Sequence, residues 1–146
     1  MNKMVVKLCI NDVKTGKSYN KELKETEIDA FLNKRVNSKI EGHFFGFSGY
    51  EFQITGGSDD AGFPMRFDVE GTGRKRVLLT RGPGVKINIK GMRKRKAVKG
   101  NTINNAINQI NLKTLKYGNK SIAENLGVEE KTAEEKEAKV TEEKKE

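Results

Sequence analysis

Between Gly71 and Lys120 the chain carries fourteen lysines and arginines and not one aspartate or glutamate. The cations are Arg74, Lys75, Arg76, Arg81, Lys86, Lys90, Arg93, Lys94, Arg95, Lys96, Lys99, Lys113, Lys116 and Lys120, interleaved with short apolar runs rather than gathered into a tail. A compact unit built on such a stretch suffers like-charge repulsion, and a multivalent anion is the partner that removes it. The remaining charge is arranged differently. Residues 1–70 hold ten basic and eleven acidic side chains, and residues 121–146 hold five and nine, so only the middle third is strongly cationic in a chain of net charge +9.

With 146 residues, one domain with a modest core is expected, spanning residues 1–121, followed by a Glu/Lys-rich solvated tail over 122–146. Fifteen glycines, two prolines and short β-branched runs favour a mostly β fold over a helical bundle. The single cysteine, Cys9, sits in the apolar run Val5-Val6-Lys7-Leu8-Cys9-Ile10 and reads as a small buried hydrophobe in a reducing compartment. No N-terminal stretch resembles a signal peptide, and none approaches the roughly 18 apolar residues of a membrane span. A cytosolic protein without a membrane partner is expected.

Lys3 to Asn11 predicts a strand, Asp12 to Lys17 a turn, and Ser18 to Leu23 the second arm of a hairpin. Thr26 is positioned to cap a helix whose apolar face is Ile28, Phe31 and Leu32 and which ends near Asn33 or Arg35. Val36 to Ile40 returns to extended structure, and Tyr50 to Thr55 alternates with period two as a strand does. A long loop is expected from Gly56 to Arg66. Val77–Thr80 and Val85–Lys90 then predict two strands around an Arg81–Gly84 turn, and the basic run Met92–Lys99 lies between Gly91 and Gly100. The stretch from Thr102 to Leu115 carries both helical and strand spacings, and a helical turn near Asn104–Ala106 leading into a final strand is the favoured reading. From Glu129 onward the chain is almost wholly Glu, Lys, Ala and Thr, which predicts a disordered acidic C-terminal tail.

Four consecutive cations, Arg93-Lys94-Arg95-Lys96, are by themselves compatible with a solvated loop. Their context is more telling. Arg66, Arg74, Lys75, Arg76, Arg81, Lys86, Lys90 and Lys99 come from neighbouring strands and turns, so several elements present cations toward one region. Such contacts hold a phosphate backbone and carry little sequence information, which favours the shape of a folded RNA over a base-reading code. Stacking on bases is not favoured: the phenylalanines and Tyr50 lie between residues 31 and 67, where core packing is the ordinary role.

The segment Gly56-Gly57-Ser58-Asp59-Asp60-Ala61-Gly62-Phe63-Pro64-Met65 reads as a structural loop in which Gly56, Gly57 and Gly62 free the backbone and Phe63-Pro64 pack against the domain. In a sharper alternative, Met65 and Arg66 touch RNA. Asp59 and Asp60 are not expected to form a catalytic or metal-binding pair, because adjacent residues in extended backbone point apart. Gly57 and Gly62 match half of a phosphate loop, but Phe63-Pro64 stands where Lys and Ser/Thr are required. The sole histidine, His43, has no recognisable acid or nucleophile partner. No enzyme activity, cofactor, metal or small-molecule substrate is expected.

Gly56-Gly57-Ser58-Asp59, Gly62-Phe63-Pro64-Met65-Arg66, Arg74-Lys75-Arg76-Val77-Leu78-Leu79, Gly82-Pro83-Gly84, the run from Gly91 to Ile103 and Gln109-Ile110-Asn111 together resemble the S6e family of small-subunit ribosomal proteins found in archaea and eukaryotes. The resemblance covers about residues 3 to 120. It implies a small antiparallel β-barrel with one or two short helices that binds small-subunit rRNA as a structural component of the cytoplasmic ribosome, beside other ribosomal proteins. It further implies that Arg74, Lys75, Arg76, Arg81, Lys86, Arg93, Lys94, Arg95, Lys96 and Lys99 face rRNA, with Met65 and Arg66 near them. Lys86-Ile87-Asn88-Ile89-Lys90 stands where relatives often carry a Pro-Arg-Arg segment. No serine follows Ser121, so the regulatory serines of eukaryotic members are not carried over, and the short form resembles archaeal members. A free-standing RNA- or DNA-binding regulator using the same basic face is the alternative reading.

Overall fold

The computed structural model describes residues 6–126. In chain order it contains β1 (Val6–Asn11), β2 (Ser18–Leu23), α1 (Glu25–Ile28), β3 (Lys39–Glu41), β4 (Glu51–Asp59), β5 (Arg74–Leu79), β6 (Lys94–Lys99), β7 (Ile107–Lys116) and α2 (Ile122–Leu126), with single 3-10 turns at Asp29–Phe31 and Gly42–Phe45. The tail expected beyond Glu129 lies outside the described residues.

The expected small antiparallel barrel is not found. Five strands form an open sheet in the order β2-β1-β7-β4-β3, in which β1 and β7 run parallel, and β5 and β6 form a separate antiparallel hairpin. Closing the sheet would require β2 to pair with β3, but β3 offers three residues against six and then turns into the Gly42–Phe45 segment. One expected strand is also absent. Val85–Lys90, expected as one, belongs to the connection between β5 and β6: only Val85 packs inward, Ile89 is exposed, and Gly82, Gly84 and Gly91 at positive φ turn the chain at both ends.

Alternation produces the core. Leu8 and Ile10 of β1, Phe52 and Ile54 of β4 and Ile110 and Leu112 of β7 point to one face of the sheet and are fully buried. Phe31, Phe45, Phe47, Ile103 and Ile122 cover them, and the Phe45 ring lies 5.3 Å from Phe31, 5.5 Å from Phe52 and 5.7 Å from Phe47. The core role expected of the phenylalanines holds for these, whereas Phe44 and Phe67 are exposed. Cys9 is half-buried rather than fully enclosed. The hairpin has its own small cluster, Val69, Leu79 and Val98, with Val77 and Val85 packed against it.

The helix after β2 is shorter than its apolar spacing predicts. It makes one α-helical turn, tightens to a 3-10 turn ending at Phe31, and is stopped by Asn33 at φ +61°. Its cap is Lys24 rather than Thr26, the Lys24 amide donating to the Glu27 carboxylate at 3.0 Å. The final strand expected after Asn104–Ala106 is present as β7, but the segment leading into it is a single hydrogen-bonded turn and not a helical one. Ile122 of α2 joins the main core, so packed structure continues past residue 121.

Candidate nucleic-acid interface

β4 extends further than its composition indicates. Gly56, Gly57 and Ser58, expected in a loop, continue the strand as far as Asp59, with register shifts at Ile54/Gly56 and Ser58/Asp59. Glycine is required at 57 because a Cβ there would meet the Gln109 carbonyl of β7, with the Met65 sulfur 3.2 Å away. The loop proper begins at Asp60. Gly62 turns it at φ +80°, and Pro64-Met65 then runs between the two sheets: the Met65 amide donates to the Gly57 carbonyl (2.9 Å), the Lys99 amide to the Pro64 carbonyl (2.9 Å) and the Arg66 amide to the Lys99 carbonyl (3.1 Å). This segment joins the Asp59 end of β4 to the root of the hairpin.

The register of the hairpin pairs Arg74 with Lys99, Arg76 with Ala97 and Leu78 with Arg95 on one face, and Lys75 with Val98, Val77 with Lys96 and Leu79 with Lys94 on the other. The second face covers the Val69–Leu79–Val98 cluster. Four of the cations expected to face RNA have partners within the protein. Lys99 is 5% exposed and its Nζ lies 3.1 Å from Asp59 Oδ2. Arg74 donates from Nε to the same oxygen at 2.6 Å and from Nη2 to Asp60 Oδ1 at 2.8 Å, with its guanidinium 4.9 Å from the centre of the Phe63 ring. Arg66 is likewise enclosed, donating to both carboxylate oxygens of Asp68 at 2.9 and 2.8 Å and to the Arg81 carbonyl at 3.3 Å. Lys75 reaches the Glu70 carbonyl at 3.1 Å. The hydrogen bond from Arg74 holds the Asp59 carboxyl well below the usual carboxylate range, and the opposing effect of burial is smaller.

The remaining expected cations have no partner among the described residues. Arg76, Arg81, Lys86, Lys90, Arg93, Lys94, Arg95 and Lys96 are all exposed, and none is ion-paired with an acid among the described residues. They occupy the distal hairpin and the connection from Arg81 to Arg93. Exposed Leu78, Ile89 and Met92 lie among them, and neither hairpin strand carries an aromatic residue. Lys116, by contrast, is paired with Glu51 at 2.7 Å, at the opposite end of β4.

Asp59 is the residue that sequence reasoning undervalued. Weighed there only as half of a catalytic pair, it is the buried acceptor shared by both hairpin strands. The available signal was its position, in an acidic pair between Gly-Gly-Ser and Gly-Phe-Pro shortly before an acid-free stretch. Elsewhere, His43 Nδ1 lies 3.1 Å from Glu41, in an open groove of about 500 Å³ at the Glu51 end of β4. Among the described residues no group of three or more His, Cys, Asp or Glu could hold a metal ion, and no helix is long and apolar enough to cross a membrane.

A family model described as ribosomal protein S6e matches residues 6–127. The small ribosomal subunit protein eS6 of Methanocaldococcus jannaschii is 46% identical over 123 residues, covering 84% of this chain and 92% of the relative. That of Methanococcus maripaludis strain S2 is 45% identical over 115 residues, covering 79% and 90%, and that of Methanosphaera stadtmanae is 39% identical over 132 residues, covering 90% and 100%. With the family model spanning all of the described residues and relatives aligned over most of their length, the chain belongs to the ribosomal protein S6e family.

Proposed function

We propose that this chain is a structural constituent of the small ribosomal subunit in the cytoplasm, that it holds small-subunit rRNA through the distal β5–β6 hairpin and the connection between those strands, and that it lies beside other ribosomal proteins and catalyses no reaction. The observation that carries the reading is the set of eight exposed cations, Arg76, Arg81, Lys86, Lys90 and Arg93 to Lys96, with no acidic partner among the described residues. Their charge is unbalanced within the fold, and a phosphate backbone supplies the missing anions. The hairpin strands carry no aromatic ring for stacking, so phosphate contact and the shape of folded RNA are the mode of recognition. The names of the relatives support the assembly in which this takes place.

Sedimentation of a native extract on a sucrose gradient tests the reading. The protein is expected with small subunits and polysomes and is expected to be released by high salt. Recovery only in the light fractions refutes the ribosomal assignment and favours a free-standing regulator.

A further inference from the structure

We propose that Asp59 is a positioning residue for rRNA binding, fixing the angle at which the cationic hairpin leaves the main sheet. The inference rests on the hairpin being the rRNA contact, and it assigns to an acidic residue a part in binding a polyanion. Arg74 and Lys99 face each other at the root of the hairpin, one on each strand, and a single oxygen of Asp59 accepts from both. The Asp59 side chain is fully enclosed and that of Lys99 is 6% exposed, so their bond sits away from competing water, while the Arg74 side chain, 43% exposed, reaches the same enclosed oxygen from the surface; both bonds are charge-assisted and directional. Asp60 holds the outer side of the Arg74 guanidinium and Phe63 lies against it. Apart from this cluster, the hairpin is tied to β4 through the Pro64-Met65 segment.

The leverage is large. From Arg74 to Leu79 is five residue steps, about 17 Å at a strand rise near 3.3 Å, so a tilt of about 10° at the root moves the tip by about 3 Å, the length of a whole hydrogen bond. Cations that meet phosphates together in the anchored geometry no longer do so once the root is loose.

The test has an unusual sign. Asp59→Asn in the full chain removes a negative charge beside a polyanion site, so charge alone raises affinity for a transcript of small-subunit rRNA. Positioning predicts a loss on the order of tenfold, the usual size of coupling between linked sites. It also predicts a salt slope flatter by about 1.4 to 1.8, corresponding to two phosphate contacts. Asp59→Asn leaves the buried Lys99 ammonium stranded, and Asp59→Asn/Lys99→Met restores neutrality and with it the thermal midpoint. The double variant keeps the wild-type net charge and is still expected to bind weakly, with faster amide exchange over Arg74–Leu79 and unchanged exchange in β1 and β7. Arg74→Lys, which retains the charge and any direct phosphate contact but not the two-carboxylate fork, is expected to lose affinity as well. Wild-type affinity in the double variant and in Arg74→Lys overturns the proposal, as does tighter binding by Asp59→Asn. A wild-type chain that fails to bind the transcript overturns the underlying rRNA reading instead.

Discussion

Replacing Arg93, Lys94, Arg95 and Lys96 together by Gln tests the interface quantitatively. Apart from Lys75, which reaches the Glu70 carbonyl, eight exposed cations on the hairpin and its connection make no side-chain bond within the described residues. If all eight reach phosphates, log K for an rRNA transcript falls with log salt at a slope of about −5.6 to −7.2, taking 0.7 to 0.9 per contact. Between about 50 and 200 mM KCl that is a loss of about 3.4 to 4.3 decades in affinity. The quadruple variant retains four of the eight, so its slope should lie near −2.8 to −3.6 and the loss over the same range should be about 1.7 to 2.2 decades. Fluorescence anisotropy of a labelled transcript across a KCl series measures both. Lys39→Gln is the matched control: its ammonium is 3.5 Å from Glu51, at the far end of β4, and its removal should leave the slope unaltered.

The fold should survive the quadruple change. Arg93 to Lys96 are exposed and make no side-chain bond within the described residues, so each substitution should alter stability by no more than about 0.5 kcal/mol. Two results would refute the reasoning. An unchanged slope moves the contact to another surface. A slope that flattens only because the variant is unfolded, shown by loss of the cooperative melt, makes these side chains part of the fold and not of the interface.

Gly100→Ala should destabilise by about 1–3 kcal/mol, because the new methyl meets the Gly71 carbonyl and the root of the hairpin has no room to move, whereas Gly73→Ala, opposite it and open to solvent, should stay within about 0.5 kcal/mol; denaturant melts compare the two. Phe45→Ala, at the centre of the ring cluster, should cost about 3–5 kcal/mol in the same melts, and a loss below about 1 kcal/mol would contradict the packing described. For Asp12, burial pushes the carboxyl up, but hydrogen bonds from Tyr117, Thr15 and the Lys14 amide together outweigh it and hold it below its ordinary value of 3.8. A lowered folded value means that this stabilisation is fully present above the ordinary carboxyl value and disappears as pH falls through the folded one. Tyr117→Phe should therefore lose about 1–2 kcal/mol at neutral pH and progressively less in strong acid, read from melts across a pH series.

What could be read from the chain before its structure divides along a physical line. Alternation placed β1, β2 and the start of β4, because each has one face against the core and one toward solvent, and that asymmetry is written directly into residues such as Leu8, Ile10, Phe52 and Ile54. The exposed cations were legible for a related reason: Arg93 to Lys96 make no side-chain bond within the described residues, so composition alone marks them as a charged surface. Two kinds of feature were hidden. The end of β4 is built from Gly56-Gly57-Ser58, residues that read as a loop. Their extended path is set by close approach to Gln109, which lies more than fifty positions away in the sequence. Val85–Lys90 shows the reverse error, an alternating segment with no strand to receive it, since periodicity reports a face and not the existence of a partner. The division of cations into those left exposed and unpaired and those that hold the hairpin was beyond composition altogether. Arg74 and Arg76 are two residues apart on one face of one strand, and only the Asp59 carboxylate beneath the first distinguishes their roles. An acid-free stretch therefore marks where cations gather, and the acids just outside it determine which of them remain available.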